Sequence, residues 1–211
     1  MNIIDIIGPV MIGPSSSHTA GAVRLGLLAA GILGAAPVKA QIDLHGSFAH
    51  TYRGHGTDVA LLAGLMGWLP DDARIPQARK YAAEAGLEYN FAKVNLGDLT
   101  HPNTARFTLT AKDGKSCEVI GSSIAGGQVK VSAIDGAEVE LDGKLPALLV
   151  SHTDKPGVIA LVSSTLASAS VNIATMRVFR KNKGGLATMV LECDQKVQPA
   201  IVQLLAAVPA I

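Results

Sequence analysis

The sequence predicts an α+β protein of two domains, on three observations. Over the first third of the chain, apolar helical periods alternate with a strand-like run. From Leu87 to Leu141 the pattern changes to short strands separated by turn residues. Beyond a polar linker, residues 147–211 carry a strand–helix–strand–strand–helix order, which is ferredoxin-like. The domains are therefore placed at 1–142, of mixed α/β type, and 147–211.

Each element has its own signal. Gly13-Pro14-Ser15-Ser16-Ser17 is turn chemistry, and a serine there makes a good helix N-cap. His18 to Gly34 is rich in Ala, Gly and Leu, with Arg24 its one firmly charged residue and Val23, Leu27, Leu28 and Ile32 on a helical period. Its glycines cost roughly 1 kcal/mol each relative to Ala. Tight packing must offset that, so the segment reads as a buried helix in which Gly21, Gly26, Ala29 and Ala30 allow close backbone approach. After Pro37 comes a strand over Val38–Leu44, then a loop over Gly46–Gly56 and a second apolar helix over Thr57–Trp68. Pro70-Asp71-Asp72 breaks the chain, and Gln77–Ala85 reads as a short exposed helix. The β region contains Arg106–Ala111, Ser116–Ser122 and Gln128–Ile134, separated by Asp113-Gly114, the strongest hairpin signal, and by Gly126-Gly127.

A linker at Asp142-Gly143-Lys144-Leu145-Pro146 follows. The second domain then reads as a strand (Ala147–His152), a turn (Asp154–Gly157) and a helix (Val158–Ser168). Strands Asn172–Arg180 and Leu186–Glu192 come next, hinged at Lys183-Gly184-Gly185, and then a helix over Gln198–Ala207. A last short strand is expected at the end.

Composition excludes several classes. The 211 residues hold 18 Lys+Arg against 17 Asp+Glu, a net charge of +1 that gives no general footprint for nucleic acid or an anionic membrane. With 48% hydrophobic and 17% charged residues the chain collapses rather than staying disordered. A mean hydropathy of +0.33 points to an interface with another chain. The weakly charged stretches Ile6–Val23 and Gly157–Met176 are too interrupted by Gly, Pro and Ser to span a bilayer. Met1-Asn2-Ile3-Ile4-Asp5 lacks the basic start of a secretory signal, and Cys117 and Cys193 are isolated, so a cytoplasmic location without disulfides is expected. Two cysteines also fall short of the thiolates an iron–sulfur cluster needs.

Two segments could carry chemistry. In Ser15-Ser16-Ser17-His18-Thr19, hydroxyls and an imidazole sit where a loop enters a helix, and unpaired N–H groups there suit a carboxylate or phosphate. A plain cap would use a serine there too. The second segment, His45-Gly46-Ser47-Phe48-Ala49-His50-Thr51-Tyr52-Arg53-Gly54-His55-Gly56-Thr57-Asp58, has three histidines, of which His55 lies between glycines that let a ligand approach. Histidine is suited to proton transfer near neutral pH. Spacings of five fit neither one helix face nor strand alternation, so no metal site is assigned.

These two motifs resemble the β subunit of bacterial iron–sulfur-dependent L-serine dehydratase (L-serine ammonia-lyase) over about residues 3–141. Residues 147–211 resemble an ACT domain, through Asp154-Lys155-Pro156-Gly157-Val158-Ile159 and Val171-Asn172-Ile173. The first segment also resembles the allosteric substrate-binding domain of some 3-phosphoglycerate dehydrogenases, although no dinucleotide-binding glycine fingerprint is present.

The resemblance implies conversion of L-serine to pyruvate and ammonia, with a [4Fe-4S] cluster carried by a partner α subunit acting as a Lewis acid on the serine hydroxyl. It implies that Ser15, Ser16, Ser17 and Thr19 bind the substrate carboxylate or help orient it. His18 and His55 are implied as groups for proton transfer or hydrogen bonding, and the isolated chain as inactive. For the ACT-like part it implies an effector near Asp154, Gly157 and Asn172, or self-association alone. A ligand-sensing subunit and a pure scaffold are the rival readings.

Overall fold

Helices α1 (Gly21–Leu33) and α3 (Thr57–Leu65) cross with their backbones touching, and glycine is what permits it. A β-carbon on Gly26 would lie 2.5 Å from the Leu61 carbonyl oxygen and 2.9 Å from the Gly64 Cα, and one on Gly64 would overlap the Val23 carbonyl. The glycines that weaken α1 intrinsically are thus what bring it onto α3. Gly64 is a contact the helical period of Thr57–Trp68 did not reveal. Leu25 and Leu33 of α1 and Leu61 and Leu62 of α3 are fully buried around the crossing, each side chain contributing about 1.5–3 kcal/mol.

The computed structural model describes residues 10–180 and 182–211. Its contacts divide into two compact units, one of residues up to Gly136 with Glu140–Asp142, the other of Ala137–Val139 with Gly143–Ile211. The larger sheet has the order β2-β1-β3-β4-β5-β6. Its strands are β1 (Pro37–His45), β2 (Glu88–Lys93), β3 (Thr104–Ala111), β4 (Ser116–Ser123), β5 (Val129–Ile134) and β6 (Ala137–Leu141). β2 runs parallel to β1, which the intervening helices allow, while β1–β3, β3–β4 and β4–β5 are antiparallel.

Alternation places Ala105, Phe107, Leu109 and Ala111 in the core, and Arg106, Thr108 and Thr110 on the opposite face. On that face the buried Asp43 carboxylate accepts from Arg106 Nη2 at 2.6 Å, and Gln41 Nε2 also donates to Asp43 at 2.6 Å. α4 (Ala78–Glu84) buries Ala78 and Ala82 and exposes its remaining face.

The expected loop at Gly46–Gly56 is a correction. Residues Gly46–Thr51 form a short helix, α2, because Phe48 and Ala49 are buried beneath it and Thr51 Oγ1 donates to the Ser47 carbonyl at 2.7 Å.

In the second unit β7 (Ala147–Thr153), β9 (Leu186–Cys193) and β8 (Ile173–Arg180) form an antiparallel sheet in that order. α5 (Val158–Ser168) and α6 (Pro199–Ala206) complete its core, in which Val150, Val162, Leu166, Met189, Leu191 and Leu205 meet. The expected final strand is absent among the described residues. Pro209 has no N–H to donate, and the Ile211 N–H turns back to the Val208 carbonyl at 2.9 Å. A single bond from Thr153 N–H to the Ala210 carbonyl, 2.8 Å, lies where that strand was expected. No helix among the described residues is long and apolar enough to cross a membrane.

Candidate functional site

The chain enters α1 through a π-helical turn, Ser16–Ala20. Such a turn holds one residue more than an α turn, and it gathers side chains that regular geometry would fan out. Ser15 is extended (φ −145°, ψ 127°), and its Oγ accepts the His18 N–H at 3.3 Å. Ser17 Oγ lies 3.1 Å from His18 Nδ1, and Ser47 Oγ lies 3.3 Å from His18 Nε2. Both ring nitrogens of His18 therefore face a hydroxyl. The imidazole is 8% exposed, edge-to-face with Phe48 at 5.3 Å and with His55 at 4.8 Å between ring centroids.

The sequence-derived residues divide accordingly. Ser15, Ser17, His18 and His55 come together. The Ser16 side chain does not join them; its carbonyl accepts the Gly21 N–H that closes the π turn. Thr19 is 2% exposed, and its Oγ1 is buried without a hydrogen-bond partner among the described residues. His45 Nδ1 accepts the Leu96 N–H at 3.1 Å, and His50 Nδ1 donates to the Gly46 carbonyl at 2.6 Å, so both serve the local backbone. Ser47 belongs to the second motif and is a site residue that the motif's chemistry does not mark. Its signal is position, two residues past the strand end and ahead of the buried Phe48.

His55 is exposed at the edge of a cleft of about 340 Å³ whose lining also includes Ile12, Pro14, Thr19, Arg53 and Ile75. Gly56, with φ 68°, turns the chain from the His55 loop into α3, a left-handed conformation that favours glycine. In the first turn of α3, the buried Asp58 is paired with Arg79.

Burial first, and then the neighbouring His55, lower the pKa of His18 below its usual 6.5. His18 is therefore neutral in the folded chain at pH values where the unfolded chain has begun to bind a proton. Its linkage stabilises the fold above about pH 6.5 and is lost as pH falls from there toward the folded pKa. The thermal midpoint of the wild-type chain is expected to fall between pH 7.5 and 5.5, and less steeply in His18→Gln. Parallel profiles would refute this.

The thiols offer no iron site. Burial, with Asp135 adding to it, pushes Cys117 up to about 11, and burial also raises Cys193. They lie in separate units, and no group of three His, Cys, Asp or Glu side chains suited to a metal occurs among the described residues. The described residues of this chain do not fit an iron–sulfur cluster.

The ACT-type residues are not all brought together. Asp154 Oδ2 accepts from Arg180 Nη1 at 2.7 Å and from the Gly184 N–H at 3.0 Å; the Gly184 bond and then Arg180 hold this carboxyl below the usual range. Gly157, at φ 91°, starts α5 beside it. Asn172 Nδ2 donates to Asp194 Oδ2 at 2.7 Å, at the other end of β8, roughly 25 Å away along the strand.

A hydroxyl-lined imidazole pair on an α/β unit, followed by a three-stranded sheet with two helices, defines a two-part chain, and the comparisons match each part. Residues 2–97 match the family described as serine dehydratase beta chain, and residues 147–210 match the ACT domain. Over 210 residues the chain is 44% identical to a probable L-serine dehydratase beta chain of Bacillus subtilis, covering 100% of this chain and 94% of that one. It is 39% identical over 197 residues to the L-serine dehydratase beta chain of Peptoniphilus asaccharolyticus, covering 93% and 89%. A D-3-phosphoglycerate dehydrogenase of Methanocaldococcus jannaschii is 29% identical over 122 residues, 58% of this chain and 23% of that enzyme. The chain belongs to the family of L-serine dehydratase beta chains.

Proposed function

We propose that this chain is one subunit of an L-serine dehydratase and contributes the His18–His55 pair to an active site that a cluster-bearing α subunit completes. The observation that carries this reading is the contact of those two rings beside an open cleft, with His18 held between two serine hydroxyls. Loss of ammonia from L-serine begins with a weakly acidic Cα proton and a poor leaving group. Departure of the hydroxyl is assigned to the partner subunit, which in this reading carries the [4Fe-4S] cluster.

Proton removal is assigned to this chain. His55 has no side-chain hydrogen bond among the described residues and lines the cleft, so its imidazole is available as the base. His18, neutral and fixed on both nitrogens, holds the His55 ring by its edge. The proton passes from Cα to His55, and the electron pair left on Cα forms the Cα–Cβ double bond as the Cβ–O bond breaks. The departing hydroxide takes a proton back from the His55 imidazolium and leaves as water, and the aminoacrylate tautomerises to an imine. Water then hydrolyses the imine to pyruvate and ammonia.

Co-expression with the α partner, followed by anaerobic assay, tests this reading. Pyruvate is expected from L-serine only when both chains are present. Turnover by the α chain alone, or none by the pair, overturns it. Binding of small anions by the isolated chain without turnover by the pair would favour the sensing alternative, and neither would favour a scaffold.

For the ACT unit we infer self-association through the β8 edge, where Met176 is 40% and Val178 36% exposed. Antiparallel pairing of two such edges would set Asn172 of one chain beside Asp154 of the other, making one effector site from residues that a single chain keeps apart.

A further inference from the structure

The cleft beside His55 has no acidic side chain in its lining and one permanent positive charge, that of Arg53. Arg53 is exposed and lies over the Tyr52 ring, with Cζ 5.5 Å from the centroid and no carboxylate partner among the described residues. The cleft also reaches the start of α3, where Gly56 supplies no capping side chain and the helix presents its positive end. The Asp58 carboxylate in that first turn is taken by Arg79. An independent observation points the same way. Thr19 lines the cleft, is 2% exposed, and its Oγ1 finds no partner among the described residues, a costly state unless something in the cleft satisfies it.

We propose that Arg53, the start of α3 and Thr19 Oγ1 together bind the carboxylate of the amino-acid substrate. This rests on the dehydratase reading above and refines it. Ser15 and Ser17 are engaged with His18, so the carboxylate belongs on the Arg53 side of the cleft rather than on the serine run. Cα is bonded directly to the carboxylate carbon, so anchoring that group fixes the carbon from which His55 takes the proton. Arg53 is a specificity residue in this arrangement, since it selects an amino acid over an amino alcohol.

The test uses the two-subunit complex. Arg53→Ala is expected to raise KM for L-serine about 10- to 100-fold while lowering kcat far less, as loss of a charge-assisted contact predicts. Arg53→Lys should recover most of the loss, and Thr19→Val should raise KM several-fold. Glycine, which keeps the carboxylate, should raise the thermal midpoint of the wild-type complex but not that of Arg53→Ala; ethanolamine, which lacks the carboxylate, should raise neither. A KM within about twofold of wild type in Arg53→Ala overturns the inference. So does an equal glycine shift in both complexes, or none in the wild type. Because the glycine shift is read without turnover, it decides the carboxylate site even if the wild-type pair makes no pyruvate, a result that would defeat only the dehydratase reading.

Discussion

Replacing His55 by alanine in the assembled complex is expected to lower kcat for L-serine by about 10²–10⁴-fold, the usual contribution of a positioned base. KM should change little, because the imidazole is assigned to proton removal rather than to holding the substrate. The thermal midpoint should stay near wild type, since His55 is exposed and its side chain makes no hydrogen bond among the described residues. His18→Ala should also reduce kcat, but with a loss of stability, since His18 is buried against Phe48 and bonded to Ser17 and Ser47. Near-wild-type kcat in His55→Ala, with the partner's cluster content unchanged, would remove His55 from the mechanism.

The second large effect is on the fold. Gly64→Ala is expected to destabilise the first unit by about 3 kcal/mol, since the added carbon meets backbone that cannot rotate away. A fall of roughly 10 °C in thermal midpoint corresponds to that loss. Gly31 lies in the same α1, is exposed, and has nothing within 4 Å of the carbon an alanine would add. Gly31→Ala should therefore stabilise, by up to about 1 kcal/mol, through helix propensity alone. A small effect at Gly64, or equal effects at both positions, would contradict the close crossing of α1 and α3.

Much of this is legible in the sequence alone. The apolar period of α1 together with its glycines implied a buried helix with a close neighbour, and the period-two runs gave β3, β4 and β5. The identity of the partner glycine is not legible, because Val59–Leu65 is apolar all round and its sequence marks no crossing point. α2 carries no periodic signal because six residues make fewer than two helical turns, too few to show a period. Two separate motifs supply Ser15, Ser17, His18 and His55, and each motif is visible in the sequence, while the His18–Ser47 link depends on a contact between residues 29 apart that no local pattern encodes. Asn172 and Asp154 show the converse: neighbours in a motif description, they occupy opposite ends of one strand.

The π turn at Ser16–Ala20 makes the length of the serine run matter as much as its chemistry. Each residue of an α-helix advances about 100° around the axis. Shortening the run by one hydroxyl would leave nearly the same functional groups present, yet swing them round the barrel of the helix and out of phase with the loop beyond β1. Insertions and deletions in this short stretch are therefore a harsher perturbation than any single exchange of one small polar side chain for another.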